Sequence, residues 1–301
     1  MELRQLKYFV KTAETLNFSE AARALFITQS TLSQQIRCLE QELGAELLQR
    51  DSHSVTLTES GEHLLPIAKR TLQDAELCVT QISDLKQMLS GVLNIGISYT
   101  FAPVLTEAVG EFTKQYPGVR LNIICRTMEE LLEMLRKREV DFVLCFKPNR
   151  LDEEIESHIL FDNQLSVIVN RKHPLAARSS LKIEDIMPYK VVMPAHETQA
   201  RRAFEYFFPG STEKLNIVVE INEVNVLLDI VRATQMVSFL SEATLYQKEN
   251  LVAIPIEAPQ TQMEGCVHTL KKVYRKRAAD EFIRILRSTN AVMERANGWL
   301  K

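Results

Sequence analysis

Apolar positions near the start of the chain recur at helical spacing. Leu3, Leu6, Phe9, Val10 and Ala13 share one face, which predicts a helix over residues 1–16. Two further helices are encoded in FSEAARALFITQSTLSQQIRCLEQEL, residues 18–43. In the first, Ala21, Ala22 and Leu25 point inward, Ser19 is placed to act as N-cap, and alanine at position 22 leaves room for a neighbour to cross closely. Phe26, Ile27 and Thr28 then make a tight turn. Gln29 or Ser30 opens the next helix, whose Leu32, Ile36, Leu39 and Leu43 recur at spacings of four, three and four. The pair predicts a helix-turn-helix. Its outer face carries Gln29, Ser30, Thr31, Ser33, Gln34 and Arg37, short hydroxyl and amide groups with one guanidinium. Such groups match the donors and acceptors on base edges and phosphates in a major groove, which makes double-stranded DNA the expected partner.

After Leu48, the segment QRDSHSVTLTESG predicts two short strands around a turn, with Arg50 and Ser54 able to reach phosphate. Thr56 and Thr58 read as strand and cap residues. One long helix is expected from about Thr58 to Leu89, capped by Thr58 and carrying Glu59 and Glu62 at the positive end of its dipole. Along it Ala68, Thr71, Ala75, Cys78, Ile82, Leu85 and Leu89 alternate at three and four, a seven-residue repeat. That seam suits pairing with a second chain, or packing on the chain's own C-terminal part.

Beyond Ser90 and Gly91 the period changes. Strands at Val92–Ile97, Val119–Arg126 and Asp141–Phe146 alternate with helices at Val104–Tyr116 and Met128–Arg138, which predicts a parallel sheet with helices on both faces. A second set follows, with strands at Ser166–Asn170, Lys190–Met193, Asn216–Glu220, Met236–Leu240 and Leu251–Pro255 and helices at Gln199–Phe207 and Val224–Ala233. The fold class expected is α/β multidomain: residues 1–58 a winged helix-turn-helix, 59–89 a linker helix, and 90–301 an α/β domain, which resemblance to a known family divides into two lobes, about 92–163 plus 266–301 and 164–265. Ligands of open α/β sheets sit beyond the carboxyl ends of strands, beside helix N-termini. The residues so placed are Ser98, Tyr99 and Thr100; Arg126 and Thr127; Phe146 and Lys147; the run Pro194, Ala195, His196, Glu197 and Thr198; and Asn222 and Ser241. Thr100 and Thr127 would serve equally as plain helix caps.

Charge complicates the picture only at the start. Residues 1–57 hold six Lys and Arg against seven Asp and Glu, whereas a DNA-binding domain is usually basic. The expectation is that Glu40, Glu42 and Glu46 lie away from the reading face while Arg4, Arg23, Arg37 and Arg50 converge on the backbone, and that dimerisation supplements a weak single domain. No apolar run approaches the roughly 20 residues that span a bilayer, and the opening residues lack a signal-peptide pattern, so a cytoplasmic protein without membrane contact is expected. Cys38, Cys78, Cys125, Cys145 and Cys266 have no metal spacing and are expected reduced and buried. No cofactor is implied. The absence of GxSxG, HExxH and a phosphate-binding glycine loop argues against an enzyme.

The stretch MELRQLKYFVKTAETLNFSEAARALFITQSTLSQQIRCLEQELGAELLQR, followed by VTLTESGEHLLPIAKR, resembles the N-terminal domain of LysR-type transcriptional regulators. HPLA at 173–176 and the later strand and helix rhythm extend the resemblance over essentially the whole chain. It implies a promoter or operator as target, a homodimer or homotetramer, and an effector domain like periplasmic binding proteins. In such a domain strand Cys266–Val273 and helix Ala278–Glu294 return to the first lobe. A small effector, often a carboxylate, would be held between the lobes by Ser98, Tyr99, Thr100, Arg126, Thr127, Phe146, His196 and Thr198, with Thr100 and Thr127 matching the family pattern best. Two departures stand out: Asp51, Ser52, His53 and Ser54 fill a wing that usually carries arginine or lysine, and Thr234 and Gln235 stand where the family often has a glycine pair. Two alternatives accompany this reading. One is a thiol redox sensor, opposed by Cys125 and Cys145 ending strands about 10 Å apart; the other is a constitutive DNA-binding protein whose lobes are only scaffolding.

Overall fold

The computed structural model describes residues 1–50, 55–85, 90–148, 152–245, 248–258, 261–290 and 292–293. The chain divides into two units, Met1–Met88 and Leu89–Lys301.

In the first unit, α1 (Leu3–Thr15), α2 (Phe18–Ala24) and α3 (Gln29–Leu43) precede the antiparallel pair β1 (Leu48–Arg50) and β2 (Val55–Leu57) and the long α4 (Glu59–Leu85). The apolar faces read from sequence meet in one core, where Leu6, Phe9, Ala21, Leu32, Ile36 and Leu39 are buried. Helix α2 is capped two residues earlier than expected. Asn17, not Ser19, accepts the amides of Ser19 and Glu20 at 2.9 and 3.1 Å, because Phe18 has already turned inward and carries Ser19 into the first turn. The turn places Phe26 in the left-handed region at φ +56 and leaves its ring 96% exposed. Thr28 caps α3 through the Thr31 amide at 3.2 Å, and Gly44 at φ +65 ends it.

Thr58 starts α4 as expected, its hydroxyl accepting the Gly61 amide at 3.1 Å and donating to the Glu46 carbonyl at 2.6 Å. The heptad seam does not survive whole. Ala68 is buried in the core of its own unit, so the seam's first position is occupied, whereas Ile67, Val79 and Ile82 are exposed large apolar side chains. Glu14 of α1 pairs with Lys11 and with Lys69 of α4 at 3.0 and 3.3 Å. Burial raises its carboxyl, but the two ammonium groups outweigh that and hold it below the ordinary range.

In the second unit, β3 (Gly91–Ile97), α5 (Ala102–Gln115), β4 (Val119–Cys125), α6 (Met128–Arg136) and β5 (Phe142–Phe146) form the expected parallel run, with β3 between β4 and β5. Then come β6 (Ile155–Asn170), α7 (Ile183–Ile186), β7 (Lys190–Pro194), α8 (Gln199–Phe207), β8 (Asn216–Ile221), α9 (Val224–Ala233), β9 (Ser238–Ser241), β10 (Leu251–Pro255), β11 (Gln262–Leu270) and α10 (Arg277–Arg287). Strand β6 begins at Ile155 rather than Ser166, and β11 at Gln262 rather than Cys266. The first half of β6 pairs with β11, the second half with β9 and β10. Because it passes from one sheet into another, the face it buries changes along its length, and no single period-two pattern marks it. The first sheet runs β4-β3-β5-β11-β6, and β10-β6-β9 continues into the second lobe, where β7 lies beside β9 through Val191 and Val237 and pairs with β8.

The cysteines correct the sequence reading. Cys38 and Cys78 are exposed and Cys125 is half-buried. Cys125 and Cys145 lie on strands flanking β3, yet Cys145 has another neighbour, since Cys266 of β11 is directly opposite it. Burial pushes both thiols up, that of Cys266 to about 12, and a protonated thiol is a poor nucleophile.

His268, two residues along β11, is fully buried. Its Nε2–H donates to the Cys145 carbonyl at 3.2 Å, and its Nδ1 accepts from the Ser157 hydroxyl at 2.8 Å, so the neutral ring is satisfied at both nitrogens. Burial lowers its pKa to about 4. The unfolded chain therefore binds a proton that the folded one does not, and the stability held above about pH 6.5 falls as pH drops towards 4, by about 3 kcal/mol in all. Urea midpoints measured at intervals from pH 7 to 4 should decline more steeply for the wild type than for His268→Gln; parallel declines would remove His268 as the cause.

Candidate functional site

Helix α3 presents the polar surface expected from sequence to face DNA. Its Leu32, Ile36 and Leu39 face the core, which turns Gln29, Ser30, Thr31, Gln34 and Arg37 outward as exposed residues and leaves Ser33 half-buried. The threonine cap absorbs part of this polar equipment. The Thr28 hydroxyl lies 3.0 Å from that of Ser30 and 2.8 Å from that of Thr31, so Gln29, Gln34 and Arg37 are the long side chains left to project. Arg50 is on β1, with its side chain outside the described residues, and Ser54 lies outside them altogether.

Several acids of this unit are held by other groups within it. Glu40 turns back to accept the amides of Leu47 and Leu48 at 3.0 and 3.2 Å, and Glu42 pairs with the N-terminal ammonium. Glu2 is paired with Arg4 at 3.2 Å.

The second unit holds a cleft of about 310 Å³ between its lobes. Six of the eight expected residues line it: Ser98, Tyr99, Thr100, Arg126, Thr127 and Thr198. The topology explains the convergence, since β3, β4 and β7 all end here and a helical turn starts after each. The two end threonines are caps. Thr127 accepts the Glu130 amide at 3.4 Å and donates to the Glu130 carboxylate at 2.7 Å; Thr198 accepts the Arg201 amide at 3.3 Å and donates to the Ala195 carbonyl at 2.7 Å. Their hydroxyl protons are thereby occupied. Ser98 differs: it is 6% exposed and its hydroxyl has no partner among the described residues.

Two expected residues lie elsewhere. Phe146 is nearly buried, its ring 5.2 Å from that of Phe101, and it borders a separate cavity of about 570 Å³. His196 lines neither cavity; its ring sits 3.3 Å from the Arg201 guanidinium and 3.3 Å from Glu205, so the loop turns it towards α8 instead of the cleft. Residues that the sequence reading did not single out complete the cleft. Ile221, Val224, Leu227 and Leu240 form an apolar wall, and Met128, Gln199 and Ala200 supply the first turns of α6 and α8. The apolar four obey the same helix and strand periods as core residues, so nothing in their pattern separates them.

Residues 3–62 match the family model for the bacterial regulatory helix-turn-helix protein of the lysR family, and residues 86–291 match that for the LysR substrate binding domain. The HTH-type transcriptional activator CmpR of Synechocystis sp. is 30% identical over 240 residues, covering 79% of this chain and 78% of that protein. A RuBisCO operon transcriptional regulator of Allochromatium vinosum is 28% identical over 260 residues, covering 85% and 86%. Among solved structures, a full-length OxyR variant from Pseudomonas aeruginosa superposes with a TM-score of 0.74 at 23% identity, covering 97% of each chain. Full-length CbnR complexed with its target DNA gives 0.68 at 20% identity, covering 95% of this chain and 99% of that one. Both likenesses show the fold. A helix with an outward polar face, a cleft at the strand ends of a two-lobed unit and models matching each in turn lead to one assignment: the chain belongs to the LysR family of helix-turn-helix transcriptional regulators.

Proposed function

We infer that this chain is a cytoplasmic, non-enzymatic regulator that reads operator DNA through α3 and changes its hold on that DNA when a small molecule occupies the cleft lined by Ser98 and Thr100. The observation that carries the reading is the polar face of α3, exposed opposite its buried Leu32, Ile36 and Leu39 and of a size to enter a major groove. A homo-oligomer joined through α4 would place two such helices on successive half-sites. An effector shifts that arrangement only by binding one lobe geometry better than the other. That CbnR was solved with its target DNA supports the same use of this fold. The thiol-switch alternative is opposed by the burial and raised pKa of the Cys145 and Cys266 pair.

Purified protein should retain a small set of fragments from sheared genomic DNA. On a site so found, Gln34→Ala should lose about 1–3 kcal/mol of discrimination at one base pair. Arg37→Ala should weaken binding to all sequences and flatten the salt dependence by about one ion. Unchanged discrimination by the Gln34 variant in competition gel shifts would overturn this placement of the helix.

A further inference from the structure

The two cavities at the lobe junction differ in what they leave unanswered. The larger is bordered by ion pairs that satisfy each other, Arg202 with Glu129 and Lys147 with Glu264. The smaller holds groups without partners. Ser98 lines the cleft and is more than nine-tenths buried, and its hydroxyl makes no hydrogen bond among the described residues. Beside it, the amides of Met128, Gln199 and Ala200 precede the first bonded turns of α6 and α8. These donors call for an acceptor carrying negative charge.

The charged groups of the cleft call for something more. It is lined by one cation, Arg126, and two carboxylates, Glu130 and Glu197. Glu130 is committed, accepting both the amide and the hydroxyl of Thr127, and Arg126 lies close enough to help hold its carboxyl below the ordinary range. Arg126 itself donates to the neighbouring Cys125 carbonyl at 2.9 Å. Glu197, on the opposite lobe, is exposed at the cleft and makes no ion pair or hydrogen bond among the described residues. A plain carboxylate would add to a lining whose formal charge is already negative and would leave Glu197 to water alone. A plain amine would leave Ser98 and the helix amides unanswered. The remaining wall, with Pro194, Ile221, Val224, Leu227 and Leu240, is apolar, and a volume of about 310 Å³ suits a small metabolite.

We propose that the cleft takes a zwitterionic α-amino acid with an apolar side chain. Its carboxylate faces Ser98, Arg126 and the first turns of α6 and α8, its ammonium faces Glu197, and its side chain lies on the Leu227 and Leu240 wall. The assignment rests on the reading of this cleft as the effector site.

Full-length protein is titrated calorimetrically with L-leucine, L-methionine and L-phenylalanine, and with isocaproate, hydrocinnamate, isoamylamine and phenethylamine, which lack one charged group each. At least one amino acid should bind about ten-fold or more tightly than both of its truncated analogues. Glu197→Gln should erase the preference over the carboxylate analogue. Equal binding of isocaproate or hydrocinnamate, or a preference that survives Glu197→Gln, overturns the amino-acid assignment. A wider panel of sugars, nucleobases and dicarboxylates separates the two readings. A compound from that panel that binds the wild type but not Ser98→Ala overturns the amino-acid class and keeps the cleft, whereas no binding by any compound overturns both.

Discussion

Gly61→Ala is expected to unfold the DNA-reading unit at temperatures the wild type withstands. An alanine inside a helix ordinarily gains about 1 kcal/mol over glycine. Here the added methyl would collide with the backbone carbonyl oxygen of Leu47 and come within 2.9 Å of the Leu57 side chain. A backbone carbonyl cannot swing aside as a side chain would, and this one already accepts the Thr58 amide at 3.1 Å. To make room, the first turn of α4 must lift from the segment leading into β1. That movement breaks the Thr58 bonds to Glu46 and Leu47 as well. The clash and lost hydrogen bonds together should cost about 3 kcal/mol or more, against a gain of about 1. Denaturation of the full-length variant followed by circular dichroism should show an early transition, with DNA binding lost alongside it. A melting curve within about 0.5 kcal/mol of the wild type would refute the close approach of α4 to Leu47.

A charge placed on the outer face of α4 should act without touching the fold. Val79 and Ile82 are 69% and 56% exposed, one turn apart, and are covered by nothing in their own unit. The double variant Val79→Glu, Ile82→Glu should therefore keep its helix content and melting point. If two chains meet on this stripe, the substitution buries like charges at the seam and yields monomers in sedimentation experiments. Joining two reading helices raises the affinity for a paired site by about a hundred-fold or more, and that factor should vanish from the gel shift. Intact dimers with unchanged DNA affinity would move the pairing surface elsewhere.

The sequence was most legible where one period ran unbroken. Leu32, Ile36 and Leu39 announce both the helix they stabilise and the polar face opposite, so α3 and its outward residues follow from spacing alone. Helices α8 and α9 have the bounds expected from the sequence, Gln199–Phe207 and Val224–Ala233, and Thr198 and Glu223 cap them. Legibility failed where one segment serves two neighbours. The first half of β6 mixes buried and exposed residues as it passes between sheets, and α4 divides its apolar positions between its own core, through Ala68, and the outside, through Ile67, Val79 and Ile82. Cap and ligand positions are hard to separate in sequence for a related reason. Thr127 and Thr198 line the cleft, yet their hydroxyl protons are used locally; Ser98, one of the same set, is the buried one whose hydroxyl is left without a partner among the described residues. The pairing of Cys145 with Cys266 depends on contact between residues far apart in the chain, which no local period reports.

Strands β6 and β11 are bonded to each other from Gln164 and Gln262 down to Ile155 and Leu270, and β6 then continues unbroken into the other sheet. They act as a torsion bar. Two lobes joined by loops could part freely, but lobes sharing a hydrogen-bonded ribbon rotate only by twisting it, and the irregularity between Gly265 and Cys266 is where its ladder is locally interrupted. Any molecule gripped by both lobes loads this spring, so the angle at which it comes to rest, rather than simple opening or shutting, is the quantity such a protein has available to report.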